Sequence, residues 1–199
     1  MIVYKNLNIK KTHKDSVVAI GNFDGLHVGH QKVLKEAKEK AKKNNLKFGL
    51  LTFEPSPVMF FNKNIRNHRI NSLDQKIFSL KKMKLDFVII INFNKKFSNL
   101  SAEDFIEKIL FKKLKSKYIF VSKNFKFGKK RLGNIITLKN LEKKFFFKTV
   151  ITVPHKQEKK IVSSSLIRKI IYQGRVQEAE RLLGRTWSVE GVVVKGEQR

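Results

Sequence analysis

Cysteine is absent from this chain of 199 residues, and so are long apolar runs. Without cysteine the fold cannot depend on a disulfide scaffold, and the absence fits a reducing compartment. No apolar run approaches the roughly 18 residues that a membrane-spanning helix needs. Residues 1–9 alternate short apolar and polar side chains and lack the apolar core of a signal peptide. We therefore predict a cytoplasmic protein that has no membrane partner.

Acidic residues are also few, because 16 Asp and Glu stand against 44 Lys and Arg, for a formal net charge of +28. Such a balance makes nucleic-acid binding one hypothesis. Only eight of the basic residues are Arg, which base recognition and bidentate phosphate contacts favour, and the lysines are spread along the chain. We interpret most lysines as solvated surface and predict no specific nucleic-acid partner, with a basic nucleic-acid-binding protein as the lesser alternative. A broad positive field also speeds the capture of anionic nucleotides.

Apolar residues make up 41% of the chain, which is enough for one packed domain. Apolar runs typical of buried strands occupy residues 17–20, 47–53, 86–91, 118–121 and 147–153. Helical patterns lie at residues 31–44, 73–83, 102–114 and 134–144. This alternation predicts an α/β fold with a parallel sheet flanked by helices on both faces. Ligands of such folds bind at the carboxyl ends of the strands.

The most informative segment joins the first apolar run to the first helical pattern, with the sequence Gly-Asn-Phe-Asp-Gly-Leu-His-Val-Gly-His over residues 21–30. A helix N-terminus at such a junction offers free N–H groups and a partial positive charge to a phosphate. The two histidines add imidazole donors, and the glycine between them lets a phosphate chain approach the backbone. The segment lacks the Lys of a Walker A loop. We predict a site for ATP phosphates formed by Gly21, Asn22, Phe23, Asp24, Gly25, His27, Gly29 and His30.

Two other interpretations of the histidines stay open. Either histidine alone is equally consistent with ordinary packing or with a surface position. A zinc site is the second alternative, although the chain has no cysteine and the spacing differs from the i, i+4 pair of HExxH. The pair combined with glycines after an apolar strand favours the phosphate site.

Two loops that follow later apolar runs contain candidate ligand-binding residues. Residues 52–57 include two prolines that favour a rigid turn, and Phe53 either stacks on a flat ligand or packs in the core. Residues 54–71 carry little pattern and are predicted to form a lid. Residues 121–134 form a long basic and aromatic loop in which the Asn124 amide suits the edge of a heteroaromatic ring. A merely solvated basic loop is the alternative for this second segment.

A third segment, residues 163–168, opens a helix after the fifth apolar run. One of its hydroxyls is expected to cap the helix. Ser163, Ser164 and Ser165, with Arg168 one turn further on, also form a predicted second anion site, able to hold the far end of a triphosphate.

Five segments together resemble the bacterial bifunctional FAD synthetase family, in which an FMN adenylyltransferase module is joined to a riboflavin kinase module. The matching segments are residues 21–31, 52–57, 124–134, 163–171 and 179–199, in the family's order and spacing. The resemblance implies a Rossmann-like nucleotidyltransferase domain that uses Mg²⁺ and transfers AMP from ATP to FMN, giving FAD and pyrophosphate. A related nucleotidyltransferase with another acceptor, such as a nicotinamide or pantetheine phosphate, is the alternative.

The resemblance also implies roles for individual residues. His27 and His30 would act on the ATP phosphates as catalytic residues, and residues 163–168 would hold the leaving β- and γ-phosphates. The flavin side would be formed by Phe53, Pro55, Asn124 and Phe127. Three positions depart from the family's usual residues: Asn124 stands for Asp, Ser122 for Gly and Ser165 for Thr.

The C-terminal segment resembles only the beginning of the kinase module. Family members continue with a small β-barrel that carries riboflavin phosphorylation, whereas residues 185–199 correspond to its first strand or hairpin. We expect residues 1–184 to form the adenylyltransferase domain and this chain to lack riboflavin kinase activity. The sequence leaves the oligomeric state open.

Overall fold

A parallel sheet of six strands forms the centre of the structure, a computed structural model that describes residues 1–65, 68–157 and 160–192. In chain order the strands are β1 (Ile2–Tyr4), β2 (Val17–Ile20), β3 (Phe48–Glu54), β4 (Phe87–Asn92), β5 (Tyr118–Ser122) and β6 (Lys148–Thr152). Their spatial order is β1-β4-β3-β2-β5-β6, and every pairing in this sheet is parallel. The predicted α/β fold is therefore confirmed.

Helices connect the strands and complete the fold. They are α1 (Val28–Lys43), α2 (Pro57–Phe61), α3 (Leu73–Lys82), α4 (Lys95–Ser98), α5 (Ala102–Asp104), α6 (Ile135–Leu141), α7 (Ser164–Tyr172) and α8 (Val176–Leu183). The α5 helix continues as a π-helix over Phe105–Lys113, and a short antiparallel pair, β7 (Lys156–Gln157) and β8 (Lys160–Ile161), precedes α7. Among the helices in the described ranges, none has the length and apolar character needed to cross a membrane.

The central strand β2 separates two hydrophobic cores. Val17 and Ala19 pack on the face covered by α1 and α3, whereas Val18 and Ile20 pack on the face covered by the π-helix and α6. All four residues are buried, which explains why β2 is a continuous apolar run. From β2 the chain adds β3 and β4 on one side and β5 and β6 on the other. The order of strands thus reverses beside β2, and the carboxyl ends of the strands at this point are where open α/β sheets bind ligands.

Three local differences from the predicted elements have simple causes. The edge strand β1 was not predicted, because it is only three residues long and pairs with β4 alone in this sheet. The α1 helix begins at Val28 and not at residue 31, because the His27 side chain caps it. The α6 helix ends at Leu141, and the apolar residues that follow it include Phe145 and Phe147, which are buried in the core.

The C-terminal helices form a third, smaller core against the sheet's carboxyl edge. Ile167 and Ile170 of α7 pack with Ala179 and Leu183 of α8, and Ile70 from the β3–α3 connection joins them. Trp187 packs on this core, and its Nε1 donates to the Ile70 carbonyl at 3.1 Å. Ile70, near the C-terminal end of the predicted lid over residues 54–71, is thus fixed by these contacts.

Candidate active site

The loop from β2 to α1, residues 21–27, has an unusual backbone and is called the phosphate loop below. Phe23, Gly25 and Leu26 adopt left-handed conformations, with φ of 48°, 77° and 42°. Such conformations are costly for residues other than glycine and persist only where the surrounding structure enforces them. At Gly25 a Cβ atom would lie only 2.8 Å from Cδ1 of Ile70, so a side chain has no room there. The tight turn directs the N-terminus of α1 towards the carboxyl edge of the sheet.

His27 and His30 lie against each other at the start of α1. Their ring centroids are 3.6 Å apart with an angle of 21° between the planes. His27 Nδ1 accepts a hydrogen bond of 3.3 Å from the backbone N–H of His30. A neutral His27 ring that accepts at Nδ1 carries its proton on Nε2, which leaves Nε2–H as a donor for a ligand.

Burial controls the charge of both rings. Burial, together with a smaller contribution from the nearby His155, lowers the pKa of His27 to about 4. Burial also lowers the pKa of His30 well below its usual value, with additional contributions from His27 and Lys76. Both imidazoles are therefore neutral at pH 7 and act there as hydrogen-bonding groups, not as cations.

The N-terminus of α7 meets the phosphate loop. Ser163 Oγ caps α7 by accepting from the Leu166 N–H at 3.2 Å, and Ser164 Oγ donates to the Asp24 carbonyl at 2.9 Å. Arg168 Nη2 forms an ion pair with Asp24 Oδ2 at 3.2 Å. The structure therefore brings residues 163–168 and the phosphate loop together. Ser165 is exposed. Anion binding by residues 163–168 stays a prediction.

A second feature is a cavity of about 460 Å³ near the carboxyl ends of β3 and β4, called the aromatic cavity below. Phenylalanines dominate its lining: Phe53, Phe61, Phe93, Phe97, Phe105, Phe125 and Phe127. Their rings contact one another, with centroids 5.7 Å apart for Phe53 and Phe97 and 5.4 Å apart for Phe105 and Phe127. A largely apolar cavity with a few basic groups at its edge is suited to a flat ring system.

The residues predicted for the flavin side fall into two groups. Phe53 and Phe127 line the aromatic cavity, whereas Pro55 and Asn124 are not among its lining residues. Asn124 is exposed at the start of the β5–α6 loop, next to the cavity residue Phe125. The loop is fixed beyond this point, because Phe127 and Gly133 exchange two backbone hydrogen bonds of 3.0 and 2.9 Å.

A polar pocket that was not predicted from the sequence lies between the phosphate loop and the aromatic cavity. Lys76 of α3 and Glu54 of β3 line it together with Asn22, Asp24 and Arg168. Other lining residues are Ser56, Val58, His68, Arg69, Asn71 and Leu73. The sequence does not distinguish Lys76 from the many other lysines at helical positions.

Two side chains that were not among the predicted site residues lie beside the phosphate loop and the start of α1. Gln31 Nε2 donates to the carbonyls of Leu26 and Leu183, each at 2.9 Å, and so joins α1 to the end of α8. His155 lies beside Gly29, where its Cβ is 3.6 Å from the position that a glycine Cβ would take. Within the described ranges, no three His, Asp or Glu side chains gather where they could hold a metal ion.

A doubly wound parallel sheet with a Gly- and His-containing loop at its switch point defines the class of this chain: an α/β protein of the Rossmann-like type. Comparison with known families narrows the class. Residues 9–166 match the family model described as FAD synthetase, and the chain belongs to the FAD synthetase family.

Curated relatives agree with this membership. A bifunctional riboflavin kinase/FMN adenylyltransferase of Buchnera aphidicola subsp. Schizaphis graminum is 41% identical over 190 residues, covering 95% of this chain and 61% of the relative. The proteins of the same name from Haemophilus influenzae and Escherichia coli K12 are 35% and 31% identical. The match to the Haemophilus influenzae protein covers 95% of this chain and 61% of that protein. The match to the Escherichia coli protein covers 92% of this chain and 58% of that protein. The chain thus spans about three fifths of these relatives.

A solved structure from Streptococcus pneumoniae, described as a macrolide-efflux protein, has the same fold. It superposes with a TM-score of 0.81 at 30% sequence identity and covers 94% of this chain and 60% of its own length.

Proposed function

We propose that this chain transfers AMP from ATP to the phosphate of FMN, with FAD and pyrophosphate as products. The curated relatives named FMN adenylyltransferase support the proposal. The structural observation that carries the proposal is that β3 contacts both the aromatic cavity and the phosphate loop. Phe53 lines the aromatic cavity, while Thr52 Oγ1 donates to the Asn22 carbonyl of the phosphate loop at 3.1 Å. A flat ring and a phosphate on one substrate can therefore occupy neighbouring sites.

The proposed reaction is an attack of one phosphate on another. An oxygen of the FMN phosphate attacks the α-phosphorus of ATP and forms the new P–O bond. The bond from the α-phosphorus to the bridging oxygen breaks, and its electron pair leaves with pyrophosphate. Because the FMN phosphate is already anionic at neutral pH, no strong general base is needed, and catalysis depends on positioning and charge stabilisation.

The residues at the junction of the phosphate loop and α1 fit this task. Nε2–H of the neutral His27 ring is free to donate to the transferred phosphoryl group, and we assign His30 to the same group. The N-terminus of α7 with Arg168 is assigned to the leaving β- and γ-phosphates. Phe53 and Phe127 are assigned to the flavin ring, and Pro55 and Asn124 to its edge.

We further propose that Mg²⁺ is held by oxygens of ATP and not by side chains of this chain. The Asp24 carboxylate of the phosphate loop already accepts from Arg168 at 3.2 Å and from the Ile70 N–H at 3.1 Å. When bound, the metal ion supplies charge neutralisation to the phosphates.

The test is product analysis with the purified chain. ATP, Mg²⁺ and FMN should yield FAD and pyrophosphate in equal amounts, separated by chromatography. Parallel reactions contain nicotinamide mononucleotide or phosphopantetheine in place of FMN. FAD formation that exceeds turnover of the other acceptors supports the proposal, whereas preferred turnover of another acceptor identifies a different transferase.

A further inference from the structure

Lys76 is a buried lysine beneath the phosphate loop. The residue is only 8% exposed, and its Nζ donates to the Asn22 carbonyl at 3.1 Å. Burial lowers the pKa of Lys76, although Asp24 and Glu54 counteract the effect. Burying a charged group is costly unless it is paired, so a lysine retained in such a place points to a charged partner.

The ion pairs of the polar pocket leave Lys76 as the surplus cation. Arg168 pairs with Asp24, and Arg69 pairs with Glu54. Among the carboxylates that the structure describes, none has an oxygen within 4.0 Å of the Lys76 ammonium. The pocket therefore has two acids already matched by two arginines and a third cation whose partner is a neutral carbonyl. This balance suits an anion.

The polar pocket adjoins the aromatic cavity. Val58 lines both spaces, and the consecutive residues Phe53 and Glu54 of β3 line one space each. A molecule whose flat ring occupies the aromatic cavity can extend a short chain past Val58 and place its terminal group beside Lys76. FMN has this shape, with a ring system, a five-carbon chain and a phosphate.

We propose that Lys76 binds the phosphate of FMN, the attacking group of the transfer. This inference rests on the proposed function. The Asn22 carbonyl orients the ammonium, which offsets negative charge on the attacking phosphate as it approaches the triphosphate of ATP. The same contact distinguishes FMN from riboflavin, which has the same ring and chain but no phosphate.

The experiment compares FMN and riboflavin as ligands by flavin fluorescence. Wild type, Lys76→Met and the control Lys81→Met, an exposed lysine on the same helix, are titrated with each flavin. Wild type and Lys81→Met should prefer FMN. Lys76→Met should lose at least about tenfold in FMN affinity, keep its riboflavin affinity within about twofold and so lose the preference.

The outcomes separate the two proposals. The inference about Lys76 is wrong if Lys76→Met still prefers FMN to riboflavin as the wild type does, or if it loses affinity for both flavins equally. In either case, FAD synthesis by the wild type still supports the proposed function. If a parallel ATP titration shows that Lys76→Met binds ATP more weakly than the wild type while FMN affinity is unchanged, Lys76 contacts the nucleotide and the inference is wrong. If the wild type makes no FAD, the proposed function itself fails.

A second measurement needs no variant and covers the case in which Lys76→Met does not fold. Inorganic phosphate should compete with FMN for the wild-type chain, while riboflavin affinity should stay unchanged. Unchanged FMN affinity at phosphate concentrations up to the solubility limit overturns the inference.

Discussion

The guanidinium of Arg185 donates a hydrogen bond of 2.8 Å to the carbonyl oxygen of Gly25, inside the phosphate loop. The same Nη2 atom donates to Asn71 Oδ1 at 2.7 Å. Arg185 is partly buried, and burial lowers its pKa. Arg185 is the first residue beyond the predicted adenylyltransferase domain, and it stabilises the turn that precedes the two histidines. We therefore interpret Arg185 as a positioning residue.

Arg185→Ala should therefore impair the site as well as the fold. The substitution leaves the Gly25 carbonyl and the Asn71 amide without their donor, for a loss of about 1–3 kcal/mol in the free energy of unfolding. We expect weaker ATP binding, with FMN affinity little changed, measured by calorimetric titration. Arg181→Ala, which removes an exposed arginine of α8, is the control. Unchanged ATP affinity in a folded Arg185→Ala chain would contradict the positioning role.

His27→Ala and His30→Ala should each lower the rate of FAD formation by at least about tenfold, a loss of roughly 1.4 kcal/mol of transition-state stabilisation. The reason is the placement of both rings at the N-terminus of α1, where the proposed reaction develops charge on the transferred phosphoryl group. Pyrophosphate release under saturating substrates measures the rate, and circular dichroism checks the fold. Normal turnover by a well-folded His30→Ala chain would refute the assignment.

The low pKa of His27 predicts that acid destabilises the chain. The folded state binds this proton with a pKa of about 4, whereas an unfolded histidine has a pKa of about 6.5. Between these values the unfolded state binds more protons, so the free energy of unfolding falls as the pH is lowered from about 6.5 to about 4. The contribution of His27 over this range is on the order of 3 kcal/mol.

Urea denaturation of wild type and His27→Gln at several pH values between 7 and 4 tests this effect. The variant lacks the titrating group, so its stability should depend less steeply on pH than that of the wild type. Both chains share every other titrating residue, which makes the difference between the two curves the informative quantity. Parallel curves would show that His27 is not the group responsible.

Asn124→Ala should weaken FMN binding, by about 1–3 kcal/mol if the lost amide leaves a flavin atom unpaired. ATP affinity should change by less than about twofold, because Asn124 lies in the β5–α6 loop and makes none of the described contacts of the phosphate loop. Asn140→Ala, the same change at an exposed position of α6, is the control. A loss of ATP affinity with intact FMN affinity would move Asn124 to the nucleotide side.

Local sequence patterns were enough to predict most of the fold and the centre of the candidate site. A strand buried on both faces is a continuous apolar run, so β2 to β6 were predicted within one or two residues. The phosphate loop and the start of α7 were predicted from glycines, histidines and capping hydroxyls, whose effects on the backbone depend on neighbours in sequence. The three-residue strand β1 has no such signal, because it exists only through pairing with β4.

Tertiary packing decided the rest of the site. The chain has 17 phenylalanines, and those that surround the aromatic cavity are selected only by the packing of β3, α2, the β4–α4 connection, α4, the π-helix and the β5–α6 loop. Packing alone likewise buries Lys76 under the phosphate loop and carries Arg185 back to Gly25, 160 residues earlier in the chain. By itself the sequence determined strands β2 to β6, the phosphate loop and the family resemblance, since these depend on short segments. The positions of Lys76 and Arg185 depend on contacts between distant segments, which exist only once the sheet has formed and its helices have packed on it.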